Sequence, residues 1–438
     1  MDKTLKKLEI EELAAQPEGS AVRVAGTVHN VRDMGDFSFV ILRKKDGLIQ
    51  TVYSKTEAPE TDASMFREEC CVDLCAVVHK EPRAPGGFEL RITAGELLSS
   101  PAEPMPICIN KHKVTASLEA NLAVRPLALR NPRERAVFKL QEALVRGFRE
   151  YLQSAGFTEI HTPKIVAAGA EGGSNLFRID YFGRKAFLAQ SPQFYKQMMV
   201  GVFERVFEVG PVFRAEKHST ARHLNEYTGL DFEMGFIDGF EDVMQVENDL
   251  LRYTMDLIRE QYAKYAKVLG VKIPEVGEIP RVRFDEAKQL IAEKYNHAIR
   301  NPFDMEPEEE QLIGRYFQEE KGSDFVFVTH YPSKKRPFYA MDDPADPRYT
   351  LSFDLLFRGT EITTGGQRIH DYEEQVSKMR AKKMDPADFE SYLMIHKHGM
   401  PPHGGLGIGL ERLLTRLLDE KNVRTASLFP RDLHRLEP

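Results

Sequence analysis

From residue 20 to about 98, hydrophobic positions recur with a period near two, the spacing of half-buried strands. AVRVAGTVHNV, FSFVILR, LIQTVYS, CVDLCAVVHK and FELRITAGELL predict strands, with turns at Met34-Gly35-Asp36 and Lys45-Asp46-Gly47 and a short helical piece, DASMFREE, after the third. Three strands, a helix and two strands is the order of an OB-fold, a partly open β-barrel that often binds single-stranded nucleic acid. On such a face Phe39 suits base stacking, and Arg43, Gln50 and Glu89 suit reading base edges; a core role for Phe39 is the plain alternative.

The pattern then breaks. SSPAEPMPICIN (Ser99–Asn110) has three prolines and no period, so it reads as a linker. This divides the chain into a barrel over 1–105, a hinge over 106–131 and a larger domain over 132–438. Asn131-Pro132 starts a helix, and Val137, Leu140, Leu144, Phe148, Tyr151 and Leu152 keep helical spacing until Gly156. AAGAEGGSNL (Ala167–Leu176) has the composition of a mobile loop, with Glu171 its one charge. An amphipathic helix over 240–268 opens an inserted α/β elaboration over about 240–345, which carries no recognisable motif. The chain closes on a glycine-rich strand running into a helix with Leu410, Leu413, Leu414 and Leu417 along one stripe.

Composition narrows the classes. A chain of 438 residues with 42% hydrophobic content fits two or three globular domains. The sequence has no run of about eighteen apolar residues and no charged-then-apolar leader, so a cytoplasmic protein without membrane contact is expected. Its cysteines (Cys70, Cys71, Cys75 and Cys108) lack the spread of a disulfide framework, and CVDLCAVV reads as strand packing rather than a metal cluster. A net charge of −7 opposes indiscriminate nucleic-acid binding, although residues 111–150 carry nine Lys/Arg against four Asp/Glu.

The chemistry concentrates in Gly210–Met234, GPVFRAEKHSTARHLNEYTGLDFEM. Two apolar strands flank a loop holding Arg214, Glu216, Arg222 and His223, a hairpin platform with cations over it. Arginine there suits phosphate, because its planar fork gives paired, permanently charged hydrogen bonds; a solvated surface hairpin is the bland reading. Gln193 and Lys196 lie three apart, on one helix face. Asp354 and Glu361 lie on neighbouring strand or turn positions, where paired carboxylates suit Mg²⁺ and the phosphates it shares. GGLGIGL is not a dinucleotide fingerprint, because Leu410 occupies the last glycine position, and no Walker lysine loop occurs.

FRAE followed by RHLNE resembles motif 2 of the class II aminoacyl-tRNA synthetases, GGLGIGLERL (Gly404–Leu413) resembles motif 3, and FTEIHTPKI around Pro163 resembles motif 1. In order and spacing the chain is most similar to the archaeal-type aspartyl-tRNA synthetases, over its whole length. The resemblance implies an α+β fold: an N-terminal OB-fold β-barrel, and a class II catalytic domain of antiparallel β-sheet flanked by helices. It implies ATP as substrate and Mg²⁺ as cofactor, L-aspartate as amino acid, tRNA(Asp) as acceptor, and a homodimer formed through motif 1. Arg214, Glu361 and Arg412 would be catalytic, with Glu216, Arg222, His223 and Tyr227 also on ATP and Glu361 and Thr364 on the metal. Glu171, Gln193, Lys196, Arg214, Asp231, Thr364, Arg368 and His403 would form the aspartate site, with Lys196 the discriminator from asparagine-specific relatives. Phe39, Arg43, Gln50 and Glu89 would meet the anticodon. Members that charge both tRNA(Asp) and tRNA(Asn) tend to show His and Pro where this chain has His29 and Pro85. That would require a tRNA-dependent amidotransferase downstream. The alternatives are an asparaginyl-tRNA synthetase and a non-catalytic tRNA-binding paralogue.

Overall fold

A computed structural model describes residues 1–167, 169, 175–218 and 220–437. The chain divides into two compact units, Met1–Glu134 and Arg135–Pro438. In the first, strands β1 (Ala21–Asp33), β2 (Ser38–Lys44), β3 (Gly47–Tyr53), β4 (Cys71–Lys80) and β5 (Phe88–Ser99) close into a barrel in the order β1-β2-β3-β5-β4. Alternation does the work: Val22, Val24, Val28, Val40, Leu42, Leu74, Leu90 and Ile92 point into one core. The expected helix between β3 and β4 is a single 3-10 turn, Ala63–Met65, with Asp62 accepting from the Ser64 N–H. Residues expected as a hinge belong to this unit, where Arg130 Nη1 donates to Glu69 Oε2 at 2.6 Å.

The second unit is built on one sheet. Its strands are β6 (Thr158–Glu159), β10 (Arg205–Phe213), β11 (Glu226–Gly235), β12 (Arg281–Arg283), β13 (Phe325–Thr329), β16 (Ser352–Phe357), β17 (Glu361–Arg368) and β18 (His403–Gly409). A smaller sheet joins β7 (Ile165–Val166), β8 (Arg178–Tyr181) and β9 (Arg184–Leu188), and β14 (Asp342–Asp343) pairs with β15 (Asp346–Thr350). Among the described residues the main order is β12-β13-β16-β17-β18-β11-β10-β6, antiparallel except at its two ends.

One face of this sheet is apolar. Phe207, Leu230, Phe232, Leu406, Ile408, Phe353 and Leu355 pack on helices Pro132–Ser154 and Phe240–Gln261. Leu140, Ala143, Leu144 and Phe148 supply the stripe of the first helix. Its Gly147 is required, since a Cβ there would lie 2.6 Å from Thr254 Oγ1 on the second. Residues of the 240–269 stretch therefore contribute to the main core. Further along, β12 and β13 extend the main sheet, and their own core (Phe284, Ile291, Ile313, Phe317, Val326) lies under helices Phe284–Tyr295 and Pro307–Lys321.

Candidate active site

Strand period puts the chemistry on the other face. In β11, Leu230, Phe232 and Met234 enter the core, so Asp231 and Glu233 point the opposite way. They face Gly407 and Gly405 across the β11–β18 pairing. A Cβ at Gly405 would lie 2.2 Å from Glu233 Oε2, and one at Gly407 would lie 2.9 Å from Asp231 Oδ1. Gly405 and Gly407 of the GGLGIG segment thus make room for the protein's own carboxylates.

Those carboxylates are balanced by two buried cations. Lys196 Nζ donates to Asp231 Oδ1 at 3.0 Å and to the Leu406 carbonyl at 2.7 Å, and lies 3.4 Å from Glu233 Oε2. Arg368 donates from Nε to Glu233 Oε1 at 2.8 Å and from Nη2 to the Gly405 carbonyl at 2.8 Å. Burial opposes the Glu233 charge, but Arg368 and Lys196 outweigh it and hold the carboxyl below its ordinary value. Lys196 spends its donors inside the protein, whereas Arg368, its guanidinium over the Tyr339 ring at 5.4 Å, borders the cavity with Nη1 making no hydrogen bond among the described residues.

Behind this cluster, Gln193 Nε2 donates to Gln197 Oε1 at 3.0 Å, and Gln197 Nε2 lies 2.9 Å from His403 Nε2. His403 Nδ1 lies 2.9 Å from the Pro401 carbonyl, which can only accept. The proton therefore sits on Nδ1, and Nε2 accepts from Gln197. Burial pushes the ring down to about 4, so it is neutral. His403 stands across from Arg368 in the β17–β18 register, and its ring bonds to Gln197 and the Pro401 carbonyl rather than to Lys196 or Arg368.

Above lies a cavity of about 880 Å³, bordered by Arg214, Glu216, Arg222, His223, Tyr227, Glu361, Thr364 and Arg412 as well as Gln193, Lys196, Asp231 and Arg368. Arg214 stands over the Tyr227 ring at 5.9 Å, and Asn175 Nδ2 donates to Glu216 Oε2 at 3.1 Å. Arg412 Nη1 donates to the Glu361 carbonyl at 3.0 Å and lies 3.3 Å from its Oε1. Thr364 Oγ1 lies 3.4 Å from the same oxygen. Opposite Thr364 in the β16–β17 register is Asp354, which accepts from Arg336 Nη2 at 2.8 Å. Burial drives Asp354 up to about 6; Arg336 opposes this and the Glu361 charge adds to it. Glu361 and Thr364 offer oxygen donors of the kind a hard divalent cation takes, but Glu361 and Asp354 each pair with an arginine, and no group of three Asp, Glu, His or Cys side chains gathers around a metal position among the described residues. Glu171 lies outside the described residues.

The barrel carries its own groove, about 630 Å³, bordered by Phe39, Gln50 and Glu89 together with Arg83 and Arg91. Gln50 Nε2 donates to Glu89 Oε2 at 2.9 Å, and Phe39 meets Phe37 edge to face at 5.2 Å. Phe39 is half-buried and not core. Arg43 is a correction: it is buried and forks onto Glu69 at 2.6 and 2.8 Å, so it has no reach to base edges. His29 is buried too, with Nδ1 3.2 Å from Arg43 Nη1, while Pro85 is exposed in the turn Pro85–Gly87.

Comparison with known proteins gives this arrangement a family. Residues 117–433 match the model for tRNA synthetases class II (D, K and N), and residues 22–98 match the OB-fold nucleic acid binding domain. The chain belongs to the class II tRNA synthetases. It is 48% identical to the aspartate–tRNA(Asp/Asn) ligase of Deinococcus radiodurans over 100% of both chains. It is 40% identical to the aspartate–tRNA(Asp) ligase of Pyrococcus abyssi over 98% of each. Asparaginyl-tRNA synthetase of Pyrococcus horikoshii, solved with asparaginyl-adenylate, superposes with a TM-score of 0.91 at 32% identity, covering 99% of this chain and 100% of that one. As a class II synthetase the chain has the expected motif 2 and motif 3 arginines on one cavity. Glu233, Gln197, Asp354 with Arg336, and Glu310 also enter this neighbourhood. Strand alternation with Asp231 pointed to Glu233, and spacing of four from Gln193 pointed to Gln197; nothing local pointed to Glu310. Among the described residues no helix is long and apolar enough to cross a membrane.

Proposed function

We propose that this chain is an aspartate–tRNA ligase: it joins L-aspartate to ATP as aspartyl-adenylate, then passes the aspartyl group to the 3′-hydroxyl of tRNA(Asp) and tRNA(Asn). The observation that carries the amino-acid choice is the fixed charge cluster of Lys196, Arg368, Asp231 and Glu233 at the cavity floor. Its own charges cancel, and Arg368 Nη1 is left toward the cavity for a side-chain carboxylate. An amide would give that remaining guanidinium donor no charged acceptor, which disfavours asparagine.

In the first step an α-carboxylate oxygen bonds to the α-phosphorus while the bond to pyrophosphate breaks. Little covalent work falls to the protein; it aligns reactants and offsets charge. Arg214 takes the α-phosphate and Arg412 the γ-phosphate, Glu216, Arg222 and His223 flank the nucleotide, and Tyr227 stacks on adenine. Glu361 and Thr364, beside Asp354, would hold Mg²⁺, which supplies charge neutralisation across the phosphates. By the family resemblance, Glu171 is assigned to the α-amino group. In the barrel, Phe39, Gln50 and Glu89 meet the anticodon; His29 acts through Arg43 rather than on a base, and Pro85 offers no side-chain donor. The enzyme works in the cytoplasm as a homodimer through motif 1, and an amidotransferase corrects aspartyl-tRNA(Asn).

Aspartate-dependent exchange of pyrophosphate into ATP, compared with asparagine, tests the reaction. Activity with asparagine alone would overturn the substrate, and no exchange with either would favour a non-catalytic tRNA-binding protein.

A further inference from the structure

Helix Pro307–Lys321 comes from the segment that carries no motif, yet its first turn enters the site. Glu310 is buried there, and one oxygen, Oε2, accepts twice: from Arg222 Nη2 at 2.5 Å and from the Glu361 N–H at 3.1 Å. Arg222 belongs to the motif 2 loop and borders the cavity, while Glu361 opens β17. A single carboxylate oxygen therefore joins the motif 2 loop to the start of β17, both of which border the cavity.

The approach is built into the backbone. Gly314, one turn further along the helix, lies against the turn between β16 and β17. A Cβ on Gly314 would be 2.4 Å from Gly359 N and 2.5 Å from its Cα. Gly359 itself has φ +69°, and a Cβ there would be 2.8 Å from Gln311 Cα. Both positions exclude a side chain, and only so does the helix come near enough for Glu310 to reach Glu361. Capping the helix does not need Glu310, because Glu309 performs that task by accepting from the Glu306 N–H at 2.7 Å and from Lys288 Nζ at 2.5 Å.

We propose that Glu310 is a positioning residue for the nucleotide: it holds the Arg222 guanidinium beside the cavity and fixes the start of the strand that carries Glu361 and Thr364. The inference rests on the ATP reading above. It also assigns a task to the otherwise unmarked helix, which buttresses the site from behind.

The test is ATP binding by calorimetry on the full-length protein, wild type against Glu310→Gln, Arg222→Ala and the double variant. Glu310→Gln keeps an acceptor for the Glu361 N–H and removes the charge that restrains Arg222. The expected result is a Kd for ATP raised about tenfold, the scale of one charge-assisted hydrogen bond, with KM for aspartate within about twofold. In the Arg222→Ala background Glu310→Gln should add little, since it acts through that arginine. Gly314→Ala, which pushes the helix back without touching a charge, should also weaken ATP. An unchanged Kd for ATP in folded Glu310→Gln overturns the proposal, as does full additivity of the two substitutions. Equal weakening of ATP and aspartate with a lowered Tm would mean a merely structural brace and overturns it too. Calorimetry of ATP does not depend on which amino acid is used. Failure of the aspartate assignment alone would instead appear as absent aspartate-dependent exchange by the wild type.

Discussion

Replacing Lys196 by Leu removes one of two cations from a cluster that is otherwise neutral. Lys196 is buried, with Asp231 at 3.0 Å and Glu233 at 3.4 Å. At an effective dielectric of about 20, charges some 3 Å apart attract by roughly 5 kcal/mol before desolvation is counted. Breaking a buried pair from one side typically costs about 3–5 kcal/mol. Part of that loss falls on folding, because Asp231 loses its cation and the Leu406 carbonyl loses its donor. The rest falls on aspartate, whose carboxylate would meet a site carrying a net charge of about −1. Aspartate-dependent pyrophosphate exchange should then show KM for aspartate raised at least a hundredfold, on the scale of about 2.7 kcal/mol, while KM for ATP moves little. Urea unfolding run alongside separates the stability part. A folded Lys196→Leu protein with unchanged KM and kcat for aspartate would refute the reasoning, since no substrate carboxylate could then depend on this cluster.

Arg214→Ala should leave Tm within a few degrees and cut adenylate formation by about 3 kcal/mol or more of transition-state stabilisation, read by pyrophosphate exchange; near-normal exchange would remove Arg214 from the reaction. Glu247 lies under β17, accepts from Thr363 Oγ1 at 2.6 Å, and is pushed by burial up to about 8. A raised acid pKa keeps the proton in the folded state, so this group's penalty grows from pH 4.5 to about 8 and is constant above. Glu247→Gln should therefore flatten the stability–pH curve in that window and add about 2–4 kcal/mol at pH 8 by urea unfolding; an unaltered slope would count against the buried neutral acid. On tRNA, transcripts of tRNA(Asp) and tRNA(Asn) should be aspartylated within about a hundredfold of each other, and a larger preference for tRNA(Asp) would mean a strict enzyme.

The parts legible in the sequence were those that short-range periodicity or charge could mark. Alternation located β1 to β5 and the β10–β11 hairpin, whereas Asp231 was assigned to the site through the family resemblance; in the structure it faces the site because Leu230 and Phe232 are inside. Arg43 shows the limit. A strand arginine reads the same whether it faces solvent or Glu69, and its partner lies 26 residues away. The glycines of β18 were legible only as a glycine-rich strand, since what fills the space beside them depended on β11 across the sheet. Glu310 was illegible for the same reason. Among four glutamates from Glu306 to Glu310, only the contact of Gly314 with Gly359 selects it.

The volume shared between β11 and β18 bears on how such a pocket changes its preference over evolution or under redesign. Asp231 and Glu233 fill the room that side chains at Gly407 and Gly405 would need, so neither strand is free to mutate by itself. A bulkier residue in β18 evicts a carboxylate, which strands Lys196 or Arg368 as an uncompensated charge. A shorter residue in β11 opens a polar void beside glycine. Escape to a neutral substrate therefore calls for concerted replacement across three chain segments, with any single-step intermediate less stable than either endpoint. Selection experiments that vary one position at a time should stall here, whereas libraries that couple 196, 231, 233 and 405 should not.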